Sequence, residues 1–148
     1  MPVKPKPDGT STVTPYLLTS NVARLIEFLR KVFDAKEAYR MTMPNGSIMH
    51  AQVHVGESSI MMGMAPPGHD AIAAMLYVYV SDVDATYQRA LDAGAKSVRG
   101  LTDEFYGDRV GAVKDADGNQ WYIATHKEDV PNDELAKRAA AAREKPKV

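Results

Sequence analysis

The chain repeats itself. Residues 12–64 and 74–126 each read as a strand, an amphipathic helix and three further strand-like runs. The segment TPYLLTSNVARLIEFLRKVFDAKEA is echoed by MLYVYVSDVDATYQRALDAGAKSV at an offset that carries Asn21 onto Asp82. Identity between the halves is low, but the order of elements is preserved. Two similar half-units in one small protein can pack as a pair and enclose a cleft. That expectation limits the plausible functions more than any single residue.

The halves follow from local signals. In the first, a strand over 13–19 leads to Ser20 and Asn21, both competent helix caps. Val22, Leu25, Ile26, Leu29, Val32 and Phe33 then recur at helical spacing and form one apolar stripe. Strands are predicted over 37–43, 47–55 and 59–64, with Pro44-Asn45-Gly46 and Gly56-Glu57-Ser58 as the turns. A linker, 66–70, precedes the second half. There a strand begins at Met75, and Ser81 with Asp84 has the spacing of a capping box. The helix buries Val83, Tyr87, Ala90 and Leu91 and ends near Gly94. Strands over 96–99, 110–114 and 120–126 complete a second βαβββ unit. The expected class is α+β, with tandem βαβββ modules forming a curved mixed sheet around a cleft.

Both ends read as peripheral. Residues 1–11, rich in proline and lysine, are expected to be a flexible arm. Residues 127–148 are expected to form a charged tail helix with Asn132 as its cap. The central domain is 12–126.

Several function classes are excluded. A net charge of −1 with scattered Lys and Arg leaves no nucleic-acid footprint. No apolar run is long enough for a membrane span, and the N-terminus lacks a signal-peptide core. The absence of cysteine removes disulfides, thiolate ligands and a cysteine nucleophile, which fits a cytoplasmic protein. There is no nucleophile elbow, no phosphate loop and no H-E-x-x-H helix. The paired acids Asp82/Asp84 and Asp115/Asp117 fall in caps and turns, where backbone hydrogen bonding accounts for them.

The tandem βαβββ pattern resembles the vicinal oxygen chelate superfamily of glyoxalases, bleomycin-resistance proteins and dioxygenases. The stretches that carry the likeness are VTPYL (13–17), IMHAQVHVGESSIMM (48–62), YVSDVDATYQRALDAGA (79–95), YGDR (106–109) and DADGNQWYIATHKEDV (115–130). The last two in this order are similar to the PhnB-type branch. The resemblance implies, for metal-using members, one His, Glu or Gln ligand from each of four equivalent strand positions. Those positions fall here at Thr14, Met61, Met75 and Tyr122. Thioethers, a hydroxyl and a phenol are poor ligands for a divalent ion that prefers imidazole or carboxylate. No metal and no cofactor are therefore expected.

Strand alternation assigns the cleft lining. Tyr16, Leu18, His50, Gln52, Met61, Met75, Tyr77, Tyr79 and Tyr122 share the concave side; Leu17, Leu76, Val78, Val80, Trp121 and Ile123 face the helices. Such a Tyr/Met/His surface suits a partly apolar organic ligand. His50 is the candidate general base if the protein is an enzyme, with Tyr77 or Tyr122 as acid. His54 is expected in solvent, His69 in the linker, and His126 in a structural role. Arg109 either reaches an anionic group at the cavity mouth or pairs with Asp108 to fix the loop; Arg40 is a weaker cationic candidate.

Three readings remain open: a metal-free small-molecule binder, a lyase, isomerase or dioxygenase with a displaced metal or none, and a structural or regulatory dimer with a filled cavity. A homodimer is expected, since paired modules with exchanged strands occur in the family the chain resembles.

Overall fold

The computed structural model describes residues 2–68 and 72–144. His69 and Asp70 of the linker lie outside them. Two compact units, residues 1–74 and 75–148, each carry one four-stranded mixed sheet. The eight strands and three helices confirm the α+β class.

In the first unit the order is β1 (Tyr16–Thr19), α1 (Val22–Phe33), β2 (Lys36–Thr42), β3 (Ile48–Val55) and β4 (Ser58–Met64). The sheet order is β1-β4-β3-β2, with β1 parallel to β4 and the other pairs antiparallel. The parallel pair is possible because α1 makes the crossover. All six residues of the expected stripe on α1 are buried. They meet Leu17, Ala51, Val53, Ile60 and Met62, the buried face of the sheet. Asn21 caps the helix by accepting from the Arg24 N–H at 3.0 Å. Asp34 ends it at φ 55°, its N–H donating to the Arg30 carbonyl. β1 starts at Tyr16 rather than residue 13. Thr14, ahead of it, spends its hydroxyl on the Ser11 carbonyl at 2.8 Å.

Gly9 and Ser11 are hydrogen-bonded to the start of β4. The Ser59 hydroxyl donates to the Gly9 carbonyl at 2.7 Å, and the Ser59 N–H donates to the Ser11 hydroxyl. The His54 ring lies over Gly9 and against Ser59, so it is half-buried rather than in open solvent.

The second unit repeats the pattern: β5 (Met75–Tyr79), α2 (Val83–Asp92), β6 (Lys96–Asp103), β7 (Asp108–Lys114) and β8 (Gln120–His126), followed by α3 (Asn132–Glu144). Its sheet order is β5-β8-β7-β6, with β5 parallel to β8. The cap of α2 is Asp82, whose carboxylate accepts from Ala85 N–H at 3.1 Å; the expected Ser81–Asp84 box does not form. Thr86 is buried on this helix where Leu91 was expected. The Thr125 hydroxyl ties the helix start to β8, accepting from Val83 N–H and donating to the Val80 carbonyl. Both β6 and β7 are longer than predicted, because the turn between them is confined to 104–107.

The acid-rich 115–121 turn is a local scaffold. Asp115 accepts from the backbone N–H groups of Asp117 and Asn119, from the Asn119 amide, and from the indole of fully buried Trp121 at 2.9 Å. Helix α3 buries no residue. Its first turn is closed by Leu135 N–H onto the Pro131 carbonyl, with Asn132 already helical. Arg138 fastens it, donating to Glu128 at 2.7 Å and to the Phe105 carbonyl at 3.2 Å. Among the described residues no helix is long and apolar enough to cross a membrane.

Candidate functional site

Each sheet has one face under helices and one face free of them. The registers decide which side chains share the free face. In the first unit Tyr16 is opposite Met61, Gln52 is opposite Met61 and Tyr39, and His50 is opposite Gly63 and Met41. Tyr16, His50, Gln52 and Met61 therefore line one surface, as alternation requires. The Tyr16 hydroxyl is 3.2 Å from His50 Nδ1, and both Tyr16 and Tyr39 flank the imidazole with ring centroids under 6 Å away. Gly63 makes room for this arrangement. A Cβ there would lie under the Tyr16 hydroxyl, closer than any normal contact.

In the second unit Met75, Tyr77, Tyr79 and Tyr122 share the free face, Tyr77 lying directly opposite Tyr122. Those two rings are nearly parallel, with centroids 6.4 Å apart. Met75, Tyr77 and Tyr79 are 65%, 40% and 62% exposed.

Asp108 organises this surface. It opens β7 opposite His126 of β8, and it is buried. One of its oxygens accepts from Tyr77 at 2.9 Å and from Tyr79 at 2.8 Å; the other accepts from His126 Nδ1 at 2.8 Å. His126 Nε2 is bound in turn to Asp129 at 2.7 Å. Each ring nitrogen faces a carboxylate, so the protonated imidazole, with an N–H at both positions, is the form that satisfies both bonds. Its pKa is accordingly raised, first by Asp108 and then by Asp129. Burial alone lifts the Asp108 pKa, but the bonds from His126, Tyr79 and Tyr77 outweigh it and leave the carboxyl below its usual range. Tyr77 is pushed far above the ordinary phenol range by burial, then by its bonds to Tyr106 and Asp108. Tyr79 is raised chiefly by Asp108.

The YGDR segment now resolves residue by residue. Tyr106 places its hydroxyl 3.3 Å from that of Tyr77. Gly107 takes φ 101°, and its carbonyl receives the N–H groups of Lys127 and Glu128. Any Cβ at Gly107 would run into the Glu128 carbonyl oxygen. Asp108 is the hub just described. Arg109 corrects both sequence expectations. It faces the helix side of the sheet, away from the tyrosines, and pairs with Asp84 of α2 at 2.7 Å and Asp103 at 3.2 Å instead of Asp108. Neighbours in a strand point to opposite faces, and because β7 starts at Asp108 rather than Val110, Asp108 and Arg109 are such neighbours. Arg40 is paired with Glu37 of its own strand.

Two shallow recesses, of about 440 and 330 Å³, flank the β6–β7 turn. Their walls include Arg109 and Arg138, each neutralised by neighbouring carboxylates, so neither offers an uncommitted cation at these arginines.

The four positions at which the resemblance would place metal ligands carry no imidazole or carboxylate. Thr14 lies outside the sheet and is bonded to backbone, Met61 and Met75 present thioethers, and Tyr122 a phenol. Among the described residues no three His, Asp or Glu side chains converge as a metal-holding group.

Comparison with known proteins agrees with this fold. The family model described as the Glyoxalase/Bleomycin resistance protein/Dioxygenase superfamily matches residues 11–123. An uncharacterized protein of Mycobacterium bovis is 33% identical over 134 residues, covering 83% of this chain and 88% of its own. TioX from Micromonospora sp. ML1 has 27% identity and a TM-score of 0.67, covering 78% of this chain and 98% of that one. A glyoxalase/bleomycin resistance protein/dioxygenase family enzyme from Burkholderia phytofirmans PsJN, at 16% identity, shares the fold with a TM-score of 0.62 over 76% of this chain and 96% of its own. The chain belongs to the glyoxalase/bleomycin resistance protein/dioxygenase superfamily.

Proposed function

We propose that this member of the superfamily is a small-molecule-binding protein that works without the divalent metal of its catalytic relatives, and that it belongs to the PhnB-type branch. Its ligand is a partly apolar, partly aromatic organic molecule held against the helix-free sheet faces. The observation that carries the reading is the second sheet's free face, where Met75, Tyr77 and Tyr79 stay largely exposed although the residues alternating with them face the helix side. Exposed aromatic and thioether groups gathered on one face of a small protein mark a binding surface. Tyr16, His50, Gln52 and Met61 form a second such surface on the first unit. The YGDR and DADGNQW segments support the branch assignment.

The test has two arms. Elemental analysis of protein purified without chelator, followed by titration with Zn²⁺, Ni²⁺, Mn²⁺ and Fe²⁺, is expected to find no tight stoichiometric ion. A thermal-shift screen of aromatic antibiotics and short metabolites is expected to find ligands that raise the melting temperature. Tight metal lost on His50→Ala, or a screen without any stabilising ligand, overturns the reading.

A second reading rests on the Tyr16–His50 contact, which puts a phenol next to an imidazole. That pair suits metal-free acid–base catalysis of the lyase or isomerase kind, with His50 as base. Turnover that survives chelation and disappears in His50→Ala would favour it. We also propose a symmetric homodimer, to be tested by sedimentation velocity.

A further inference from the structure

The hydrogen-bond polarity of the second sheet's free face restricts what can bind there. A phenol has one hydrogen to donate. Tyr77 and Tyr79 both spend theirs on the same oxygen of buried Asp108. Tyr106 approaches the Tyr77 oxygen at 3.3 Å, and with the Tyr77 hydrogen already committed, Tyr106 must be the donor of that bond. All three phenols are then left with lone pairs only. His126 adds no donor, since both of its N–H groups end on carboxylates. Arg109 is on the opposite side of the sheet. The Asp108, His126 and Asp129 trio is net negative in either state of the ring, by one charge with the imidazole protonated and by two with it neutral.

We infer that the Asp108 end of this face selects planar, partly apolar ligands bearing hydrogen-bond donors or positive charge, such as protonated amines, amidines or ring N–H cations, and discriminates against carboxylates. The inference rests on the binding role proposed above and names the chemical class of its ligand. An ammonium or N–H group finds the Tyr79 and Tyr106 oxygens as acceptors. The stacked Tyr77 and Tyr122 rings offer faces that attract cations. Near Asp108 a carboxylate meets the field of that group and the acceptor oxygens of Tyr79 and Tyr106, with the Tyr122 hydroxyl left to donate. The Gln120 amide and the cationic Lys114 lie at the far end of the same face. The first sheet lacks this fixed polarity, because the Tyr16–His50 bond can run in either direction with the imidazole tautomer.

Three indoles of similar size separate the possibilities: tryptamine (cationic), tryptophol (neutral) and indole-3-propionate (anionic). Each is titrated into the full chain at pH 7 and followed by NMR shifts. Tryptamine should bind about tenfold or more tighter than indole-3-propionate, the scale set by one charge-assisted hydrogen bond. Asp108→Asn, which removes the charge but keeps an acceptor, should shrink that ratio to about threefold or less. Tyr79→Phe keeps Asp108 and two of its donors, and covers the case in which Asp108→Asn does not fold. It should weaken tryptamine selectively. Equal or reversed affinities in the wild type overturn the inference, as does a preference untouched in Tyr79→Phe and in any folded Asp108→Asn. If tryptophol binds while the charged pair does not differ, the polarity argument fails and the binding role stands. If none of the three binds and the thermal-shift screen also finds no ligand, both fail.

Discussion

Asp108 concentrates more interactions than any other side chain of the candidate surface: two phenols and an imidazolium end on one buried carboxylate. Replacing it by alanine leaves the imidazolium without its buried counter-charge, and the expected loss, read by urea denaturation, is about 3 kcal/mol. His126 carries a pH signature of defined sign. Its folded pKa is raised above the ordinary 6.5, so its stabilisation is full below pH 6.5 and is lost as pH rises through the folded value. Melting temperature should therefore decline over that window in the wild type and stay flatter in His126→Gln. Gly107→Ala combines a left-handed backbone with a collision against the Glu128 carbonyl. It should cost about 2 kcal/mol or more, measured in the same way. None of these roles follows from residue type alone. Asp108 has an arginine beside it in sequence, yet strand alternation sends the two to opposite faces, and the partners it does find come from β5 and β8.

At the scale of elements the chain is far more legible. The six apolar positions of α1 recur at helical spacing, and all six are buried. Asn21 was recognisable as a cap, and Asn21→Ala should remove about 1 kcal/mol from thermal or urea stability. The second helix shows the limit of such reading. Ser81 and Asp82 are both good caps, and only the backbone path, extended at Asp82 with φ −138°, decides between them. The tight turn before β8 was readable as a turn, but not the bond from the Trp121 indole to Asp115, which links the helix side of the sheet to that turn. Trp121→Phe should lower stability by about 2 kcal/mol, since it removes one of four hydrogen bonds to a buried carboxylate and some buried contact area. Strand ends were the least readable feature, because hydrogen-bond pairing with a neighbour extends β6 to Asp103 and begins β7 at Asp108.

Across the whole chain, the duplication is kept in register as well as in order. Tyr16 pairs with Met61 across the parallel strands of one unit, and Tyr77 with Tyr122 across those of the other. The sequence by itself determined the tandem βαβββ plan, the superfamily and the side chains sharing each free sheet face. These are consequences of periodicity and of side-chain chemistry, both of which are local. The tertiary structure alone decided the direction of the hydrogen bonds on the second face, the detachment of Arg109 from Asp108 and the clamping of His126 between two acids. Those depend on which strands become neighbours, and a carboxylate chooses its partners by distance in space, across gaps in the chain that no local pattern spans.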